Sequence, residues 1–276
     1  MLKLGYNEAT TKENSSVEQD LILCEKYGYD YIELRLDMLK KYLGSHSLTE
    51  LRDFFDSHHL KPFALNSIEQ INFQDEKGWN ELVKLFTFAC EVAEAISNPY
   101  IIVVPTMTDT YNQKNEQEVF EDTVEVLIQL SDIARPYGVK LSFEPIGDKR
   151  WCCNSQRQAL EIINAVDRDD VGITVDCINF YMHDKGADIA SIRKIPKEKL
   201  FVYHINDCDD LPLGVLDHSD RIMPGLGAID IPAISAAVKE VGYDGPACLE
   251  LFRPEYYQMD PEEVIRLGAE ASRKYL

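Results

Sequence analysis

The stretch Phe201-Val202-Tyr203-His204-Ile205-Asn206-Asp207 decides how this chain is read. Apolar and aromatic residues surround one histidine, and further acids follow at Asp209 and Asp210. A short run of this kind is a strand buried on both faces, the kind found in parallel sheets covered by helices. Taken alone, its histidine reads as a hydrogen-bonded core residue. Three other strand-like runs change that reading, because each carries a carboxylate near its C-terminal end. They are Lys140-Leu141-Ser142-Phe143-Glu144, Gly172-Ile173-Thr174-Val175-Asp176 and Ala247-Cys248-Leu249-Glu250-Leu251. An unpaired charge in an apolar interior is too costly to keep. Three acids and an imidazole at strand ends therefore predict one shared partner, a divalent cation.

Outward from these runs, strand and helix signals alternate along the chain. Strands are expected at Leu2–Tyr6, Tyr31–Leu34, Pro62–Asn66 and Tyr100–Pro105, ahead of the four already quoted. Between them lie amphipathic helices. Val17, Leu21 and Cys24 mark the first, opened by the capping pattern Ser15-x-x-Glu18 and stopped at Gly28. Ser47-x-x-Glu50 opens another. Leu82, Phe86, Ala89, Val92 and Ala93 line a helix from about Trp79 to Ile96, and Phe120 to Ile133 line one over Glu116–Tyr137. Asn154 or Ser155 caps a helix bearing Ala159, Ile162, Ile163 and Val166. A short helix near Ile189–Ile195 precedes the histidine strand, Ile231–Val241 follows it, and Asp260-x-x-Glu263 caps the last, which runs to the C-terminus. The loop of roughly 25 residues after the histidine strand is long enough to imply function or disorder.

Eight such units with no linker-like break predict an α/β fold, a single (β/α)8 TIM barrel over residues 1–276. An open doubly wound sheet is the weaker alternative, and no G-x-G-x-x-G follows the first strand. In a barrel, active sites lie at the C-terminal ends of the strands. Glu144, Asp176, His204 and Glu250 end strands five to eight, which are consecutive, so their side chains can converge. One such acid would be an ordinary strand-terminal residue facing solvent; four in succession form an oxygen-rich site suited to one divalent ion, Mn²⁺, Co²⁺, Zn²⁺ or Mg²⁺.

Composition narrows the partners. With 48 acidic and 28 basic residues the net charge is −20, a field that repels phosphate backbones, so no nucleic-acid partner is expected. The seven cysteines are scattered, form no C-x-x-C and fit reduced, cytoplasmic use better than a disulfide framework. Cys177 and Cys248 read as strand residues, and Cys177 with Cys208 lacks zinc-knuckle spacing. Met1-Leu2-Lys3-Leu4-Gly5 runs into a polar stretch, which predicts no secretory signal. No apolar run approaches the ~20 residues needed to cross a bilayer, so no membrane association is expected. Oligomeric state is left open, a homo-oligomer included.

Four further stretches carry a resemblance: Asn7-Glu8-Ala9-Thr10-Thr11, Cys24 to Glu33, Leu251-Phe252-Arg253-Pro254-Glu255-Tyr256-Tyr257, and the Arg-x-x-Pro-Gly-x-Gly run from Arg221 to Gly227. With the four strand-end residues, they make nearly the whole chain resemble the xylose-isomerase-like sugar isomerase and epimerase barrels, most of all the inosose isomerase branch of inositol catabolism. The resemblance implies one metal held by Glu144, Asp176, His204 and Glu250, and a keto-sugar or cyclitol substrate. It also implies that Glu144 and Glu250 double as the acid/base pair, working through an enediolate, while Asp176 and His204 are ligands only. Members of the family usually place a substrate-contacting histidine three residues after the metal aspartate; here that residue is Asn179. His183 nearby reads as a surface-loop residue. Arg221, Asn179, Arg150 and Trp151 are the expected substrate contacts, the last two as a sugar-stacking wall or as exposed loop.

Ligands alone do not separate an isomerase from a ketose 3-epimerase, a 3-keto-glycoside lyase or a dehydroshikimate dehydratase, since all begin with proton abstraction beside a carbonyl. An endonuclease on the same barrel would need further metal ligands and a basic groove. A non-catalytic sugar-binding barrel would not need paired glutamates.

Overall fold

The histidine strand runs from Leu200 to Ile205 (β7) with all six residues buried. Seven others flank it in a closed parallel barrel: β1 (Lys3–Asn7), β2 (Tyr31–Arg35), β3 (Lys61–Ile68), β4 (Tyr100–Val103), β5 (Lys140–Phe143), β6 (Val171–Asp176) and β8 (Pro246–Leu249). The computed structural model describes residues 1–107 and 114–276. Each strand pairs with its sequence neighbours, and β1 pairs with β8 to close the ring. This is the predicted barrel.

Helices cover its outer face: α1 (Val17–Lys26), α2 (Leu36–Tyr42), α3 (Leu48–Ser57), α4 (Glu76–Ile96), α5 (Glu116–Ala134), α6 (Gln156–Val166), α7 (Cys177–Asp184), α8 (Ile189–Arg193), α9 (Ile231–Val241) and α10 (Pro261–Ser272). The apolar stripe read on α4 is buried at Leu82, Phe86, Ala89, Val92 and Ala93. Among the described residues, no helix is long and apolar enough to cross a membrane.

Two helices were not expected, α2 and α7. The first starts at Leu36, and Arg35 before it makes no side-chain cap, so its start carries no sequence mark. The second starts directly from β6, with Asp176 as its N-cap accepting from Asn179 N at 2.8 Å. The apolar run therefore passes from strand to helix without a break, and Cys177 opens a helix instead of lying in a strand. His183 likewise sits on α7 and not in a loop, with Nδ1 buried. At α1 the cap is Ser16, which accepts from Gln19, and not Ser15, whose hydroxyl donates to Asp20. The last helix stops at Ser272, short of the C-terminus.

Inside the barrel the lower end is closed by aromatic rings. Tyr31, Phe63, Tyr100 and Phe201 pack in a row with centroids 5.0–5.4 Å apart. Gly172 of β6 makes room for the last of them. A Cβ there would lie 2.5 Å from the Phe201 ring and 2.6 Å from the Lys199 carbonyl oxygen. Gly172→Ala is therefore expected to lower stability by about 1–3 kcal/mol, measured as a lower denaturant midpoint with unchanged slope. An unchanged midpoint would mean that the ring and the backbone yield freely. These rings lie at the N-terminal ends of their strands, opposite the ends that carry Glu144, Asp176 and Glu250.

Candidate metal centre

Register brings the four residues together. Asp176 pairs with His204, and His204 pairs with Cys248, two residues before Glu250. Paired residues on parallel strands face the same side, so all of these point inward. Glu144 and Glu250 stand one residue past the ends of β5 and β8. All four are buried, at 4, 1, 0 and 3 % exposure for Glu144, Asp176, His204 and Glu250. Each offers one ligand atom, and these atoms all lie within 4.8 Å of one another. His204 Nδ1 is 3.2 Å from Glu250 Oε2 and 3.6 Å from both Glu144 Oε1 and Asp176 Oδ2.

A second layer fixes the first. Glu33 of β2 lies across the barrel, its Oε2 3.0 Å from His204 Nε2. That contact takes a ring proton on Nε2 and turns Nδ1 toward the other carboxylates, the carboxylate–histidine arrangement common behind metals. Asn7 donates to both Glu33 Oε2 (2.8 Å) and Glu250 Oε1 (3.1 Å), and Asn66 adds a 2.8 Å bond to the same Glu250 oxygen. Asn206 donates to Asp176 Oδ2 at 2.8 Å, and its own oxygen accepts from Ile178 N. Asn179 donates to Glu144 Oε1 at 2.9 Å. Glu33, Asn7, Asn66 and Asn206 were given no role from sequence. Glu33 lies 171 positions from His204, and only barrel closure puts them in contact.

The long loop after β7 is ordered around Asp207. Its carboxylate accepts from the backbone N–H of Cys208, Gly225, Gly227 and Ile229 at 2.9–3.0 Å. Asp207–Cys208 also pairs antiparallel with Arg221–Ile222. The glycines of Arg-x-x-Pro-Gly-x-Gly follow from this packing. Gly225 has φ +88°, and a Cβ on Gly227 would lie 2.0 Å from the Cys208 carbonyl oxygen. The loop so held buries Arg221, whose guanidinium bonds Glu250 Oε2, lies 3.3 Å from Asp176 Oδ2 and covers the Phe252 ring at 5.0 Å. Arg221 Nε has no protein partner among the described residues.

The remaining expected contacts sit further out. Arg150 is exposed and paired with Asp148, while half-buried Trp151 packs on the inner cluster that includes Val104 and Ile146. His218, which sequence reading missed because it lies in the long loop with no periodic signal, has Nε2 3.1 Å from Asn179 Oδ1.

Electrostatically the centre is unbalanced. Four buried carboxylates, Glu33 included, face one buried guanidinium and the His204 imidazole, which, against the cost of burial, Glu250, Glu33 and Glu144 hold well above the usual imidazole range. Burial, with Glu250 and Asp176 nearby, pushes the Glu144 carboxyl up to about 7 despite His204. Burial opposes ionisation of Glu250 as well, yet His204 and Arg221 hold it well below the usual carboxylate range. A divalent cation would remove most of the imbalance. It would also satisfy His204 Nδ1, a buried nitrogen with no hydrogen-bond partner among the described residues. The donor set of three carboxylates and one imidazole fits such an ion. No other converging group of three or more His, Cys, Asp or Glu exists among the described residues.

Fold and centre together define a metal-site barrel, and comparison with known proteins agrees. The family described as xylose isomerase-like TIM barrel matches residues 21–275, and this chain belongs to it. The inosose isomerase of Bacillus velezensis is 44% identical over 272 residues, covering 98% of this chain and 96% of that protein. That of Bacillus subtilis is 45% identical, over 96% and 94% of the two chains. Among solved structures, the IolI protein with a bound zinc atom superposes with a TM-score of 0.94 at 43% identity, covering 99% of this chain and 98% of that one.

Proposed function

We propose that this protein is an inosose isomerase that works with one divalent metal ion, zinc being the ion in the similar IolI structure. The observation that carries the reading is His204 Nδ1, buried with no hydrogen-bond partner among the described residues and set among three carboxylates at the C-terminal ends of the barrel strands. Glu144, Asp176, His204 and Glu250 would hold the ion. When bound, it supplies Lewis-acid polarisation of a ketone and its neighbouring hydroxyl, which acidifies the hydrogen on carbon.

The chain's own groups then move that proton. Glu144 and Glu250 are the acid/base pair: one takes the proton at a carboxylate oxygen, and the other returns one to the adjacent carbon or the opposite face. Their surroundings push them apart, as such pairs require. Glu250 receives hydrogen bonds from Asn7, Asn66 and Arg221, which favour its ionised form. Glu144 receives one, from Asn179, among the described residues, and is the group able to hold a proton near neutral pH. Arg221 Nε is the donor left for a substrate oxygen. Trp151 offers an apolar wall at the rim, with Arg150 beside it.

The reading is tested by incubating the protein with inososes and a panel of ketoses in deuterated buffer. Deuterium should enter the inosose next to its carbonyl, with isomer formed. Conversion of ketoses and not of inososes would sink the assignment. Chelation should abolish turnover and lower the melting midpoint by about 5–15 °C without unfolding the barrel at 25 °C, because the ligands stand on strand ends. A chelated sample with full activity and an unmoved midpoint would remove the metal from the account.

A further inference from the structure

His218, Asn179 and Glu144 form a hydrogen-bonded row from the long loop to a carboxylate of the centre. Asn179 is anchored at its backbone, whose N–H donates to Asp176 Oδ1 at 2.8 Å. What remains free is the direction of its side-chain amide, which has a donor end and an acceptor end. The donor end faces Glu144 Oε1 at 2.9 Å, and the acceptor end faces His218 Nε2 at 3.1 Å. Reversed, the amide oxygen would meet the Glu144 carboxylate, and two acceptors would face each other. Nothing in Asn179 itself prevents that reversal. A proton on His218 Nε2 does, because it demands the oxygen.

His218 is built to stay in place. Its ring lies on Phe252 with centroids 5.9 Å apart and planes 26° apart, and the Arg221 guanidinium covers the same ring. Asp217 caps the turn His218–Asp220 by accepting from Ser219 N and Oγ. Partial burial of the imidazole and then the Arg221 charge hold its pKa down to about 4, which favours the neutral ring at pH 7.

We infer that His218, as the neutral Nε2–H tautomer, is a positioning residue that locks the Asn179 amide with its donor end on Glu144. It acts through Asn179 and touches neither the metal ligands nor, in this role, the substrate. The inference deepens the isomerase reading and rests on it for the kinetic arm of its test alone.

The experiment uses the zinc-loaded protein with His218→Phe, His218→Gln, Asn179→Ala and the double variant His218→Phe/Asn179→Ala. Phenylalanine keeps the stack on Phe252 and loses the donor, whereas glutamine restores an N–H. The expected result is a fall in kcat of about tenfold for His218→Phe, the worth of one hydrogen bond, with KM and zinc content within twofold. His218→Gln should recover most of that loss, and His218→Phe should cost nothing further in the Asn179→Ala background. Independently of turnover, two-bond ¹H–¹⁵N spectra of the wild type should show the His218 signal, assigned by its loss in His218→Phe, as the Nε2–H tautomer at pH 7. An Nδ1–H tautomer or an imidazolium overturns the inference. So does an undiminished kcat in His218→Phe, a full second loss in the Asn179→Ala background, or a glutamine variant as slow as the phenylalanine one. If wild type fails to turn over any inosose, the isomerase reading fails, while the spectra still decide the tautomer.

Discussion

Glu144→Gln and Glu250→Gln are each expected to lose about 10²–10⁴-fold in kcat while remaining folded and keeping some metal. An amide oxygen still coordinates, but an amide does not accept and return a proton at neutral pH. The two variants should differ in two ways. With the glutamates on opposite sides of the substrate, one variant should still exchange the carbon-bound proton with deuterated solvent without releasing isomer, and the other should do neither. Glu250→Gln should also be the less stable, by about 3 kcal/mol, because it takes the charge partner from the buried Arg221. Glu144, whose partner is the neutral Asn179 amide, imposes no such loss. Asp176→Asn, by contrast, should fail chiefly through metal affinity and recover in excess zinc. Should excess zinc fully restore both glutamine variants as well, the glutamates are ligands and nothing more.

The four convergent residues were legible because a charged or imidazole side chain in an apolar strand is an energetic contradiction, and four contradictions at four strand ends have one common resolution. The barrel was legible from alternation alone. What could not be read was whatever depends on closure or on a shared atom. Asn7 and Glu33 sit in the first two strands and look like ordinary polar residues until β1 meets β8 and sets Asn7 against Glu250. Asp176 serves as strand end and helix cap together, and that double use hid α7 inside a run read as one strand. His218 has no pattern at all. Its partner Asn179 was noticed as a departure from the family, but only the folded loop shows an imidazole reaching it. Arg221 was expected as a substrate contact, whereas its guanidinium is already committed to Glu250 and Asp176, which leaves Nε for that role.

Asp207→Ala should cost more than its distance from the chemistry suggests. The residue touches no ligand, yet its two oxygens take the backbone N–H groups of Cys208, Gly225, Gly227 and Ile229. Hydrogen bonds to an ionised acceptor are worth about 1.5–3 kcal/mol each, and a buried donor left alone costs a similar amount. The four losses do not add in full, because once two are gone the loop can lift and let water reach the rest. A net destabilisation of about 3–5 kcal/mol is expected, confined first to residues 207–229. Asp207→Asn should do nearly as badly, since its NH₂ group would face donors where an oxygen now stands. Lifting the loop withdraws Arg221 from Glu250 and Asp176, so kcat should fall by two orders of magnitude or about that. Zinc content should hold, because Glu144, Asp176, His204 and Glu250 stand on barrel strands and not on this loop. Hydrogen exchange supplies the check: the amides of Gly225, Gly227 and Ile229 should lose protection in Asp207→Ala while those of β7 keep theirs. Protected loop amides together with normal turnover would show that the Arg221 loop is held by something other than Asp207.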